Sequence, residues 1–220
     1  MTAEALSRRR VLLALGAAMS MPAALRLALA QSSAAQGVRN TRGEVTINGK
    51  PAEAGSPILP GDTIETGRRG YAAFVVGDDA FLVRANSRAE LIGSGALVSA
   101  MQLVTGKLLS VFGRGRARRL VTATASIGIR GTGAYLEAEP ARTYFCLCYG
   151  TADVAATTGG AQETVTTTHH ESPRYIYGDG RSRAIVPAYM SNHTDSELML
   201  LESLVGRSPP TEFMMGGGRY

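Results

Sequence analysis

The chain has 220 residues, 45% of them hydrophobic, which is enough to bury one good core with an appendage. With 26 glycines, 9 prolines and no tryptophan, the composition favours short strands joined by tight turns over a helical protein. The formal net charge is +5, but residues 1–30 contribute four arginines and one glutamate. Without them the chain has 19 basic and 17 acidic residues and a net charge of +2. Nucleic-acid binding is therefore not expected.

The first thirty residues have the pattern of an export signal. Arg8, Arg9 and Arg10 precede an apolar run over residues 11–18, and small residues at 28–30 suit a cleavage site. SRRRVLL resembles a twin-arginine signal, in which Arg8 and Arg9 form the pair, and such signals direct folded proteins across the membrane. We expect cleavage after residue 30 and a periplasmic protein. The alternative is an uncleaved N-terminal anchor, which would be the only membrane contact, although Arg26 makes that span costly.

Strand signals begin after a polar linker at residues 31–37. Residues 44–47 lead into Asn48-Gly49, a pair that tolerates the positive φ angles of a type I′ hairpin turn. Further strands are predicted over residues 64–66, 71–76, 80–84, 97–104, 107–112 and 121–124, the pair at 97–112 meeting across Gly106. This spacing predicts an all-β domain, a sandwich or roll of short, mostly antiparallel strands.

The order of these signals resembles the FecR domain family. GDTIETG at residues 61–67, the next strand, the acidic turn at Asp78 and Arg-Ala-Asn-Ser at 84–87 follow that family's order. Asp79 stands where the family commonly has glycine, which would place a non-glycine residue in a tight turn. The second family signature, a strand entering the turn Arg130-Gly131-Thr132, extends the resemblance over residues 38–156.

The resemblance implies a mostly β periplasmic domain. The best understood members of the family relay the occupancy of an outer-membrane receptor to a cytoplasmic sigma factor. Only seven residues precede the signal, so we expect no sigma-binding domain and no direct contact with a sigma factor. The resemblance predicts a non-catalytic sensing or binding module in envelope signalling or assembly, and its partner would be an envelope protein or a glycan.

The C-terminal quarter combines irregular strands with one helix. Residues 157–190 are predicted to hold two more strands. Thr194 and Glu197 form a capping box that predicts a helix over residues 195–205 within the segment 191–206. Its apolar stripe of Leu198, Leu201, Leu204 and Val205 is expected to dock on the β domain, and residues 207–220 are predicted to be a flexible tail.

Cys146 and Cys148 carry the sharpest chemical question. Successive side chains alternate along a strand, so both thiols share one face with Tyr144, and Phe145, Leu147 and Tyr149 share the other. Two thiolates together with imidazoles suit zinc or copper, and the candidate imidazoles are His169, His170 and His193. The alternative is packed or redox-active thiols, although a disulfide across two residues of one strand is disfavoured by its geometry.

Two further patterns have simpler explanations. The run GRGRARR could contact an anionic surface through Arg114, Arg116, Arg118 and Arg119, but it also suits a solvated loop between strands.

No serine has a nucleophile-elbow context and no glycine-rich loop opens a helix, so an enzyme is not expected. Asp62, Asp78 and Asp79 lack the spacing of calcium loops and are explained better as turn residues.

Overall fold

The computed structural model describes residues 36–94 and 97–216, and strands make up most of it. This confirms the predicted all-β class. The predicted export signal with Arg8 and Arg9 lies outside the described residues, as do nearly all of the linker and the last four residues of the chain. Within the described part of the chain, no helix has the length and apolar character needed to cross a membrane.

The elements follow one another as many strands and then two helices. The strands are β1 (Gly37–Arg42), β2 (Val45–Ile47), β3 (Lys50–Pro51), β4 (Thr63–Thr66), β5 (Tyr71–Val76), β6 (Asp79–Val83), β7 (Ser87–Ser94), β8 (Leu97–Val111), β9 (Arg118–Val121), β10 (Ala125–Ile129), β11 (Gly133–Ala138), β12 (Arg142–Ala156), β13 (Gln162–Thr167), β14 (Arg174–Tyr177) and β15 (Ile185–Pro187). The helices are α1 (Asp195–Leu204) and α2 (Thr211–Gly216).

The strands form two layers that share the long strands β8 and β12. The first layer has the antiparallel order β1-β5-β6-β8-β11-β12-β14-β15. The second layer has the order β3-β2-β4-β7-β8-β9-β10-β12-β13, in which β8 and β9 are parallel. The last residues of β8 and the first residues of β12 belong to the first layer, so these two strands bend from one layer into the other.

Gly106 and Gly150 are the residues at which these strands bend. Their φ angles of 92° and 96° lie in the region that favours glycine. The sequence predicts two strands paired across Gly106, but the structure has one continuous strand, because the chain bends around Ser87 instead of reversing. Ser87 Oγ accepts a hydrogen bond from the backbone N–H of Lys107 at 2.9 Å. The Asn48-Gly49 turn does reverse the chain, with φ angles of 52° and 75°, as predicted.

Replacing Gly106 with alanine is expected to destabilise the protein. A Cβ atom at this position would lie 2.6 Å from Ser87 Cα, in addition to the strain of the positive φ. Together these should lower the free energy of unfolding by about 2–4 kcal/mol, measured by urea denaturation. Gly115 is the matched control, since its φ is 82° but a Cβ would meet nothing within 4 Å. If alanine at Gly106 and at Gly115 lowered the free energy of unfolding equally, the crowding at the bend would be contradicted.

The first layer is covered on both faces. Between the layers lies a core that includes Phe145 and Leu147 of β12, whereas Cys146 and Cys148 point to the outer face with Tyr144. Tyr149 also belongs to the outer cluster, although simple alternation predicts the inner one. The reason is a bulge, since Gly133 pairs with Tyr149 but the next residue, Ala134, pairs with Leu147. The outer cluster is completed by side chains of the two helices: Leu198, Leu201 and Phe213.

In the C-terminal part of the chain, α1 agrees with the prediction from the sequence, whereas the segments before and after it differ from their predictions. Thr194 caps α1 and accepts a hydrogen bond from the N–H of Glu197, so the predicted capping box is confirmed. The helix ends at Leu204, close to the predicted residue 205. Residues 157–190 hold three strands rather than two. The prediction of a flexible tail does not fit residues 211–216, which form α2 because Phe213 is buried against the outer cluster.

Candidate metal centre

Four of the predicted ligands meet on the outer face of the first layer. Cys146 and Cys148 come from β12, His170 comes from the loop between β13 and β14, and His193 lies just before α1. The Cys146, His170 and His193 ligand atoms all lie within 4.8 Å of one another, and Cys148 Sγ contacts His193. Both cysteines are free thiols, and all four side chains are buried.

Three separations among these four ligand atoms have the values of a tetrahedral metal site. Cys146 Sγ lies 3.5 Å from His170 Nδ1, and Cys148 Sγ lies 3.6 Å from His193 Nε2. The two imidazole nitrogens are 3.2 Å apart. Zinc bonds to sulfur and nitrogen at their usual lengths place tetrahedral ligands about 3.5 Å (S to N) and about 3.3 Å (N to N) apart. These three separations agree with both values, whereas Cys148 is not in the group of ligand atoms that all lie within 4.8 Å of one another.

The outer nitrogens of the two imidazoles fix which way their lone pairs point. His193 Nδ1 lies 2.8 Å from the Ser191 carbonyl oxygen, which can only accept, so this nitrogen carries the proton. His170 Nε2 lies 3.1 Å from Asp195 Oδ1 and donates to that carboxylate. Each ring therefore turns its unprotonated nitrogen toward the thiols. Two lone pairs 3.2 Å apart cannot hydrogen-bond to each other, so the centre needs either a metal ion or protons, carried by the thiols or by one of the imidazoles.

The loop that carries His170 is held by Glu171 and by β12. The carboxylate of Glu171 accepts hydrogen bonds from the backbone N–H groups of Thr168 and His169, both at 2.9 Å. Burial acts to raise the pKa of Glu171, but these hydrogen bonds outweigh it and lower the pKa. The N–H of His170 donates to the Cys148 carbonyl at 3.1 Å, which places this imidazole directly over the thiols. The φ of His170 is 57°, so the loop holds it in a left-handed conformation.

The segment that carries His193 is fixed by two tyrosines of the first layer. The hydroxyl of Tyr144 donates to the Tyr189 carbonyl at 3.0 Å and accepts from the Ser191 N–H at 3.1 Å. The imidazole of His193 stacks on Tyr135 with the ring centres 4.4 Å apart. Both tyrosines share the strand face of the thiols, so the strands themselves set the position of this ligand.

Asp195, the first residue of α1, joins His170 to His169. Its second oxygen lies 3.0 Å from His169 Nε2, so His169 is an outer neighbour of the centre and not one of the converging ligands. Burial acts to raise the pKa of Asp195, but the hydrogen bonds with His169 and then His170 lower it. A carboxylate on the far nitrogen of a ligating histidine is a recurrent feature of metal sites. Sequence reasoning missed Asp195; its signal was a carboxylate two residues after His193 at a helix start.

The two thiols have different proton affinities. The hydrogen bond with Cys148, followed by those with His170 and His193, lowers the pKa of Cys146. Burial raises the pKa of Cys148 well above its usual value. One thiol is therefore prepared as a thiolate, which is the form that binds metal, and a cation is needed to deprotonate the second.

The predicted anionic-surface contacts do not act together. Arg114, Arg116 and Arg119 are exposed, but Arg118 is buried and its Nε lies 2.6 Å from Asp79 Oδ2. Arg118 is thus not free to bind a surface, contrary to the prediction, because it neutralises a buried carboxylate. Asp79 is also not a strained turn residue, since Gly77 takes the positive φ of 62° in this turn.

The signature turn carries the chain from the second layer into the first and lies outside the metal centre. Gly131 has a φ of 64°, and a Cβ there would lie 3.0 Å from the Arg114 side chain. Arg130 is exposed and pairs with Asp153 at 3.4 Å. The buried hydroxyl of Thr132 has no hydrogen-bond partner among the described residues.

Comparisons with known proteins assign no family to the chain. No protein-family model and no curated protein matches it. Two crystal structures of a "putative anti-sigma factor" from Parabacteroides distasonis, at 1.65 Å and 2.50 Å resolution, are similar in part. The match to the first structure has 9% sequence identity and a TM-score of 0.49, and it covers 64% of this chain and 64% of that one. The second is 10% identical with a TM-score of 0.48 and covers 65% of this chain and 73% of that one.

Proposed function

We propose that this protein is an exported, non-catalytic module that binds one zinc or copper ion and acts in envelope sensing or assembly. The observation that carries the proposal is the convergence of Cys146, His170 and His193, with Cys148 in contact with His193 and both unprotonated nitrogens turned toward the thiols. The alternative is a pair of packed thiols that donate their protons to the two imidazole nitrogens, and the metal analysis below distinguishes it from an ion site.

The chemistry of the ligands selects the class of metal. Thiolate sulfur and imidazole nitrogen suit zinc and copper, whereas calcium and magnesium prefer oxygen ligands. Two thiolates and a divalent zinc ion give a neutral centre, which costs least in a buried position; copper(I) would leave one negative charge. Charge balance therefore favours zinc.

The burial of all four side chains supports binding over catalysis. A catalytic zinc keeps an open position for water or substrate, but a site with four protein ligands is closed. The FecR-like sequence pattern supports the envelope role, in which the partner would be an envelope protein or a glycan, with no direct contact to a sigma factor. Repeated affinity capture from the periplasm that recovers no such partner would count against this part of the proposal.

The metal content of the protein tests the central part directly. We expect elemental analysis of protein purified from its native compartment to give one zinc or copper ion per chain. The thiols should react slowly with a thiol reagent while the ion is bound, because both sulfurs are bonded to it. They should react faster once a chelator has removed the ion. Absence of stoichiometric metal, with two free thiols in the titration, would exclude the metal site.

A further inference from the structure

The metal centre joins parts of the chain that are far apart in sequence. The thiols belong to the first layer, whereas His193 and Asp195 belong to the C-terminal segment, defined here as residues 188–216. We propose that ion binding locks the C-terminal segment onto the outer face of the first layer, so that metal occupancy switches it between docked and released states. This inference rests on the proposed function, since it requires that an ion binds.

The C-terminal segment has few apolar anchors of its own. Six of its 29 residues are buried, and the large apolar ones are Leu198, Leu201 and Phe213. Four more apolar residues pack on the same cluster but are only partly buried: Ala188, Met190, Leu204 and Val205. α1 has 10 residues and α2 has 6, lengths at which isolated helices are marginal in water. The segment therefore depends on contacts outside its helices to stay in place.

The imidazole of His170 and that of its neighbour His169 are part of the surface on which α2 rests. The ring of Phe213 lies 4.6 Å from that of His169 and 5.4 Å from that of His170. The ring of Tyr149 completes this contact at 5.7 Å. An ion that fixes His170 would therefore also fix the packing surface of α2.

The start of α1 is linked to the centre by one ligand, His193, and by Asp195, which holds a second ligand in place. His193 lies two residues before Asp195, and Asp195 holds the outer nitrogen of His170. Asn192, directly before His193, has a φ of 64°, and His170 has a φ of 57°. Left-handed backbone at non-glycine residues is unfavourable, so bonds from both imidazoles to an ion would offset a cost that the loop of His170 and the C-terminal segment otherwise bear without an ion.

Ionic contacts also hold the C-terminal segment, and they are its alternative anchors. Arg84 pairs with Glu197 at 2.5 Å, with both side chains about three-tenths exposed, a setting in which ion pairs contribute little. Glu202 is buried and binds Arg207 at 2.8 Å and the hydroxyl of Tyr149. If these contacts were sufficient, removing the ion would leave the segment docked, which is the outcome that the experiment must detect.

Hydrogen exchange of the full chain tests the inference in three states: as purified, after chelation, and after reloading with Zn²⁺ or, anaerobically, with Cu⁺. Chelation should speed exchange of the C-terminal amides by about 5- to 150-fold, the usual range of coupling, and reloading should reverse it. Amides of β5, β6 and β8 should not change.

The three adverse outcomes are distinguishable. Stoichiometric ion binding with unchanged C-terminal exchange would overturn the lock but leave the proposed function standing. Faster exchange in every strand would show global unfolding, which also overturns a local switch. Failure of either ion to bind would overturn the proposed function itself.

A matched pair of variants in α1 provides an independent measurement. If docking and metal binding are coupled, weakening the docking must weaken the binding by the same factor. Leu201→Ala removes a fully buried side chain without replacing a ligand, so it should raise the apparent Kd for Zn²⁺ by about tenfold or more. Leu200→Ala changes the neighbouring, half-exposed residue and should leave the Kd within about twofold. Equal Kd values for the two variants would overturn the lock.

Discussion

Replacing Cys146 and Cys148 together with serine is expected to abolish stoichiometric zinc or copper binding while the two strand layers still fold. Serine hydroxyls do not ionise at neutral pH and are poor ligands for these ions. Structural zinc sites in zinc-finger peptides have apparent binding free energies of about 10–16 kcal/mol. Loss of both thiolates should remove most of this binding free energy. Elemental analysis measures the ion content, and far-ultraviolet circular dichroism measures the retained strands.

His169 provides the matched control for this prediction. Its Nε2 faces Asp195 and not the centre, so His169→Gln should keep the ion. Outer partners of metal ligands typically contribute 10- to 100-fold in affinity, so we expect a loss of about that size at most. An ion retained by the double serine variant would contradict the assignment of the ligands. So would complete loss of the ion from His169→Gln.

Replacing Arg118 with alanine is expected to destabilise the fold by about 3–5 kcal/mol. Arg118 Nε binds Asp79 Oδ2 at 2.6 Å, and both side chains are at most 5% exposed. Burial raises the pKa of Asp79, and the hydrogen bonds from Arg118 and the Gly113 N–H oppose this. Without the guanidinium of Arg118, the buried carboxylate of Asp79 would lose the one salt bridge that it makes among the described residues. Urea denaturation measures the change in the free energy of unfolding.

Arg119 is the control for Arg118, since it is the next residue on β9 but its side chain is exposed. Arg119→Ala should change the free energy of unfolding by no more than about 0.5 kcal/mol. Similar losses from the two variants would show that charge near β9 matters in general and that the buried pair has no special role.

Features set by short stretches of sequence could be predicted. The Asn48-Gly49 turn depends on two residues that tolerate positive φ, and the start of α1 depends on the capping box of Thr194 and Glu197. The all-β class follows in the same way from the spacing of strands and turns. The ligand types were also found, because thiols and imidazoles are few in this chain: two cysteines and three histidines.

The assembly of the centre could not be predicted, because it depends on contacts distant in sequence. Cys146 and His170 are 24 residues apart, and Cys148 and His193 are 45 apart. Strand pairing around β12 and the placement of the C-terminal segment bring them together. The burial of Arg118 has the same cause, since its partner Asp79 is 39 residues away on another strand. The position of Tyr149 depends on a bulge that strand alternation does not reveal.

X-ray absorption at the metal edge of the purified, ion-loaded protein tests the metal centre most directly. We expect a first shell of two sulfur atoms at about 2.3 Å and two nitrogen atoms at about 2.0 Å. Serine at both cysteine positions should remove the sulfur shell, and His169→Gln should leave the spectrum unchanged. A shell of oxygen and nitrogen alone would contradict the assignment of Cys146, Cys148, His170 and His193 as the ligands.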